Sequence, residues 1–187
     1  MKLNDILPDS FEYEGATYQI DLSFDNVLDV FDITARKDLA DVEKIHLALA
    51  LLVGDIEVEA AEAVSLYKHI EAEFLTKGHR KIVQYDVLGN EMPMLTGDEG
   101  EGRHFSMTQD ADLIYASFLA EYDIDLMEEQ GRLHWYKFQA LLQGLSSECI
   151  LQKVIQIRLW KPKKGDSVEY KRSMRKLQDY YRLKDED

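Results

Sequence analysis

Cysteine is nearly absent from this chain: among its 187 residues there is one, Cys149. A single thiol cannot close an internal disulfide and is too few for a multi-cysteine zinc site, so a reducing compartment is expected. The neighbours Ile150, Leu151, Val154 and Ile155 mark Cys149 as a small core residue rather than a nucleophile. Long apolar runs are also missing. Nothing reaches the roughly 18 consecutive apolar residues of a membrane span, and the start MKLNDILPDS has no run of signal-peptide length. Neither membrane insertion nor export by that route is expected.

Basic residues are scarce in most of the chain. Residues 1–145 carry 11 Lys and Arg against 29 Asp and Glu, whereas residues 146–187 carry 11 against 7. An acidic body repels phosphate backbones, which argues against general nucleic-acid binding. Asymmetry of this kind fits either an interaction surface or a solvated helix face that keeps the chain soluble.

Catalytic patterns are absent too. There is no HExxH, GxSxG elbow, dinucleotide fingerprint or Cys-x-x-Cys pair. His46, His69, His79, His104 and His134 include no i, i+4 pair. Asp110 and Asp112, two apart on a helix, point to different faces and suit a first helical turn. Asp123-Ile124-Asp125 opens like an EF-hand loop, but the sixth position is Glu128 and the twelfth His134. The glycines of 97–102 lack the Lys and Ser/Thr of a phosphate loop. No catalytic, cofactor-binding or metal-ligating residue is assigned.

What is present describes a folding chain. Apolar residues make up 45% and charged residues 31%, and a chain of this length can bury about 70% of its unfolded surface. Phe11, Tyr13, Tyr18, Ile20 and Leu22 alternate with polar residues around Glu14-Gly15, predicting a β-hairpin that must pack on helices or pair with another chain. From Ser23, a candidate cap, the period lengthens to that of a helix. Further helices are expected from Asp38 to Gly54 and from Val58 to Lys77 before Gly78. Residues 86–104 hold four of the ten glycines and many carboxylates and read as a linker or long loop. Beyond it, Ser106 with Gln109, or Thr108, starts a helix through Ile114, Phe118 and Tyr122. One more carries Leu133 to Leu145, another runs from a Ser147 cap to Trp160 before Pro162, and a basic amphipathic helix occupies 166–183. The fold class is therefore mainly α, a bundle of six or seven helices with an N-terminal β-hairpin. Its organisation is read as a hairpin and helical unit over 1–85, the acidic linker 86–104 and a helical unit over 105–187.

Aromatic residues crowd the stretch 105–145. Phe118 and Phe138 suit a helical core, while Tyr115, Trp135 and Tyr136 carry polar groups suited to partly exposed sites. Tyr170, Met174, Leu177 and Tyr181 share a narrow face of the basic helix. These seven are the candidate partner-binding residues.

The stretch also resembles a known family. Gln109 to Phe118, Tyr122 with Ile124-Asp125-Leu126, Leu133 to Phe138, Leu141-Leu142 and Gly144-Leu145 resemble the gene-product-fifteen, or tail-assembly chaperone, family of long-tailed phages of Gram-positive hosts. The resemblance is sharp from Phe105 to about Trp160. It implies a chaperone that binds the tape-measure protein and helps recruit tail-tube subunits in the host cytoplasm, then leaves before the virion is complete. No enzyme activity, cofactor, nucleic acid or membrane is implied, and a homo-oligomer is left open. The alternative from the residues is an acidic regulator or nucleic-acid mimic. A metal-dependent enzyme would need histidines and carboxylates to converge in space.

Overall fold

Alternating aromatic and polar residues form the expected hairpin, β1 Ser10–Tyr13 and β2 Ala16–Gln19, antiparallel with Phe11 opposite Tyr18. The two-residue connection has positive φ at both Glu14 (49°) and Gly15 (83°). This turn twist matches that of the strands, and glycine takes the second position without a side-chain penalty. The structure, a computed structural model, describes residues 4–76 and 104–184. The expected linker 86–104, apart from His104, lies outside these residues, as do His79 and the expected stop at Gly78.

The protein is mainly α, with seven α-helices among the described residues: α1 Phe24–Ala35, α2 Asp41–Val53, α3 Ala60–Ile70, α4 Ala111–Tyr122, α5 Trp135–Gly144, α6 Ile150–Leu159 and α7 Val168–Tyr180. The period near 3.6 that predicts these helices also accounts for the faces they bury. Helix α3 passes into a π-helical turn, Glu71–Leu75. The chain divides into two units. Unit 1 comprises Met1–Arg80 and Met127–Gln139; unit 2 comprises Lys81–Leu126 and Ala140–Asp187.

In unit 1 the hairpin is covered as two lone strands require. Phe11 packs 5.2 Å from Phe74 and 5.8 Å from His69, and Tyr13 lies 5.0 Å from His69. Helices α1, α2 and α3 follow in succession, burying Val27, Val30, Leu49, Leu52, Leu66 and Ile70. Helix α2 starts three residues later than Asp38. The Glu43 carboxylate accepts the Ala40 N–H at 2.9 Å, so the helix opens where a carboxylate can reach back.

Unit 1 also takes in Met127–Gln139, part of the stretch 105–187 expected as one helical unit. The reason is a non-local pairing. Phe24 N–H donates to the Leu133 carbonyl at 2.9 Å, and Trp135 N–H donates to the Leu22 carbonyl at 2.7 Å. Asp25 accepts the Gly131 N–H at 2.9 Å. Ser23 stands at the N-terminal cap of α1, yet its buried hydroxyl makes no hydrogen bond among the described residues. The Leu133 carbonyl serves the first amide of the helix instead. Aromatic stacking completes the join, with Phe138 5.0 Å from Phe24 and 5.6 Å from Trp135.

Unit 2 is built from α4, α6 and α7 with the end of α5, and it buries Ile114, Phe118, Leu145, Leu151, Val154 and Ile155. The cap of α6 is Cys149 rather than Ser147. Its buried sulfur accepts the Gln152 N–H at 3.4 Å, while the Ser117 hydroxyl accepts the Leu151 N–H at 3.3 Å. Two otherwise unsatisfied amides at the start of α6 are thereby paired. Gly144 admits the Tyr122 hydroxyl, which would lie 3.1 Å from a Cβ at that position.

Two expected outcomes follow for unit 1. Phe138, 1% exposed, should cost about 3–5 kcal/mol when replaced by alanine, read as a lower urea midpoint; a loss under about 1 kcal/mol would contradict a core role. His134 tests the pH dependence. Burial, aided by Lys137, pushes its imidazole below the ordinary 6.5, outweighing the Pro8 hydrogen bond and Asp21. Nε2 lies 3.3 Å from the Pro8 carbonyl and Nδ1 lies 3.1 Å from the Tyr136 nitrogen. A neutral ring protonated on Nε2 satisfies both. The unfolded chain takes its proton at higher pH, so this contribution is lost as pH falls through 6.5 towards the folded value. The wild type should therefore lose stability more steeply than His134→Gln between about pH 7 and pH 5; parallel curves would sink the assignment.

Candidate partner-binding surface

The candidate residues divide between the units. Trp135 is 2% exposed in unit 1, with Phe31 5.6 Å away edge-on and Phe138 stacked beside it. It is a core residue there rather than a partner contact, and its Nε1 has no hydrogen-bond partner among the described residues. Tyr136 is half-buried, donates to the Glu73 carbonyl at 3.4 Å, and has its hydroxyl pKa raised by burial and by Glu73. Tyr115, in unit 2, is half-buried and donates to Asp125 at 3.1 Å. The polar tips that suggested partial exposure are satisfied inside each unit for both tyrosines.

The α7 candidates are different. Ser167 caps this helix, its hydroxyl accepting the Tyr170 N–H at 3.1 Å. No residue of α7 is buried. Met174 and Tyr181 are half-buried, whereas Tyr170 is 47% and Leu177 39% exposed. The stripe predicted as one face therefore splits along its length, one edge turned in and the other out. Tyr180, 79% exposed, extends the outer edge and was missed by the sequence reading. Its position three residues after Leu177 and ten after Tyr170 was the available signal.

Polar ties rather than a core hold α7 in unit 2. Gln178 Nε2 donates to the carbonyls of Arg158 at 3.1 Å and Trp160 at 2.8 Å, at the carboxyl end of α6. Trp160 meets Tyr170 edge to face at 5.8 Å. Arg158 returns the support, its Nε donating to the Tyr181 carbonyl at 2.6 Å.

Arg158 is also where Asp110 goes. Its Nη1 and Nη2 donate to the two carboxylate oxygens of Asp110 at 2.8 and 2.7 Å, and Nη1 reaches the His104 carbonyl at 3.0 Å. The side chains are 9% and 1% exposed. Asp110 also accepts the Ser106 N–H at 3.0 Å, while the Ser106 hydroxyl accepts the Gln109 N–H at 3.1 Å. The expected start at Ser106 or Thr108 is not taken: Asp110 stands at the N-terminal cap of α4, and the Ser106 pairing closes the turn before the helix. Asp110 supplies the returning carboxylate, and Gln109 instead exchanges hydrogen bonds with the Lys184 backbone.

Among the described residues no group of three His, Cys, Asp or Glu side chains could hold a metal ion. No helix among them is long and apolar enough to cross a membrane. Residues 3–183 match the family model described as "Bacteriophage Gp15 protein". The chain belongs to this family. No curated protein and no solved structure matches it. Membership makes it a bacteriophage structural or morphogenesis protein, and the exposed edge of α7 is a surface that its own unit leaves uncovered.

Replacing Arg158 by methionine leaves Asp110 as an uncompensated buried charge and should cost about 3–5 kcal/mol. Adding Asp110→Asn to that variant should recover part of the loss, because no charge then remains buried. Urea unfolding of both single variants and the double variant measures this; strictly additive losses would show that the two side chains do not act as a pair.

Proposed function

We propose that the chain is a tail-assembly chaperone that binds a tape-measure protein and helps recruit tail-tube subunits in the host cytoplasm, then leaves before the virion is complete. It acts by binding alone, without catalysis or a cofactor. The observation that carries this reading is α7, a 13-residue helix with no buried residue that presents Tyr170, Leu177 and Tyr180 to solvent. Solvent-facing apolar residues beside basic ones suit the docking of a long amphipathic helix, whose spaced anchors they would receive. Membership of a bacteriophage protein family supports a role in phage morphogenesis, with which such docking is compatible.

A nucleic-acid mimic is less well supported, because many carboxylates serve the fold. Asp110 is buried against Arg158, Asp25 accepts from Gly131, Glu43 caps α2, and Glu121 accepts from the Ser146 amide and hydroxyl. Asp38 is held at about 2 by the Arg36 guanidinium.

Co-expression with the tape-measure protein of the same phage should raise that protein's soluble yield and give a complex that co-purifies. Substituting Tyr170 and Leu177 together by aspartate should weaken the complex at least tenfold, the loss of one interface anchor being worth about 1–2 kcal/mol. Two chains that remain independent on co-expression would refute the reading.

A further inference from the structure

Unit 2 carries two exposed helix faces that complement each other in charge and in size. On α7, Tyr170, Ser173, Leu177 and Tyr180 follow one another at helical spacing and are all exposed, with the exposed Arg172 and Lys176 alongside. On α4 and its C-terminal cap, the exposed residues Asp112, Ala116, Leu119 and Asp123 form a second stripe, with Leu119 41% exposed and Ala120 beside it. Large side chains project from the first; on the second, Ala116 and Ala120 lie with Leu119 between acidic ends.

The charge pattern of the unit repeats this contrast. Residues 104–126 contain five carboxylates and no Lys or Arg, whereas residues 153–184 contain eleven Lys and Arg against three Asp and Glu. One opposite pair from these two stretches, Asp110 and Arg158, is already joined inside the unit. The faces of α4 and α7 remain turned to solvent.

We propose that two copies of the chain pair through unit 2, the outer face of α7 in each copy lying on the α4 face of the other. Ridges made by Tyr170, Leu177 and Tyr180 pack over the small side chains of Ala116 and Ala120, the kind of fit that helix packing favours. Arg172 and Lys176 approach Asp112 and Asp123, and these charge pairs set the register. Two-fold closure makes this contact twice, so the buried area doubles and no open end remains to propagate a filament. The carboxylates that receive a second copy would repel a phosphate backbone or an anionic lipid surface. A tape-measure helix would compete with the second copy for the same α7 face, so the pairing describes the chain before it meets that partner and is tested on the full chain alone.

Light scattering after size-exclusion chromatography should give twice the 21.7 kDa of one chain at about 50 mM salt, with dissociation favoured at about 0.5 M. Arg172→Glu with Lys176→Glu places acid against acid, and Asp112→Lys with Asp123→Lys places base against base. Each double variant should be monomeric, its dissociation constant raised at least tenfold. Mixing the two should restore a dimer, since both contacts then join opposite charges. A wild-type chain that is monomeric at every salt concentration overturns the proposal without reference to any variant. Double variants that dimerise like the wild type, or folded variants whose mixture stays monomeric, overturn it equally.

Discussion

Unit 2 depends on one buried ion pair. Arg158 brings four hydrogen bonds to three places in the chain: the Asp110 carboxylate, the His104 carbonyl and the Tyr181 carbonyl. These lie at the approach to α4, at its N-terminal cap and at the end of α7. Arginine suits the task because its planar fork offers five donors in fixed directions, and both oxygens of a carboxylate can be met at once. Burying both charges carries a large desolvation cost, which only such complete pairing offsets. Without it, α7 would keep only Gln178, the edge of Trp160 and a few half-buried side chains.

Unit 1 depends on a different device. A short length of backbone, from Leu133 to Trp135, pairs with Leu22 to Phe24, where the hairpin leads into α1. This pairing brings Trp135 and Phe138 against Phe24 and Phe31. Trp135 is thereby stacked on Phe138 and met edge-on by Phe31, and these ring contacts offset part of the cost of burying its indole.

Local features were legible in the sequence, and the non-local ones were not. The hairpin turn, the stop of α2 at Gly54 and the burial of Phe118 and Phe138 all follow from periodicity or from residue chemistry within a few positions. Asp110 was read as a first-turn carboxylate because its partner lies 48 residues away. Trp135 was read as half-exposed because its cover, Phe31, comes from the opposite end of the chain. Cys149 displaced Ser147 as a cap because a sulfur can accept where the backbone presents it, whatever the average preference of serine. Of the candidate surface, the α7 face was visible in its spacing. Which edge of it turns inward was set by Gln178 and Arg158, residues whose roles no pattern announces.

The assignment of Met127–Gln139 to unit 1 has a consequence for the order of events during synthesis. Residues 4–76 can form the hairpin and the first three helices as they leave the ribosome, but Phe24 and Phe31 then lack their aromatic cover. The cover arrives only after residue 139 has been translated, by which point all of α4 has also been made. Closing a loop of that length costs entropy before it gains contacts. A nascent chain therefore passes through a period in which two aromatic side chains of α1 stand open, and a ribosome paused within that interval would hold the protein at its most adhesive.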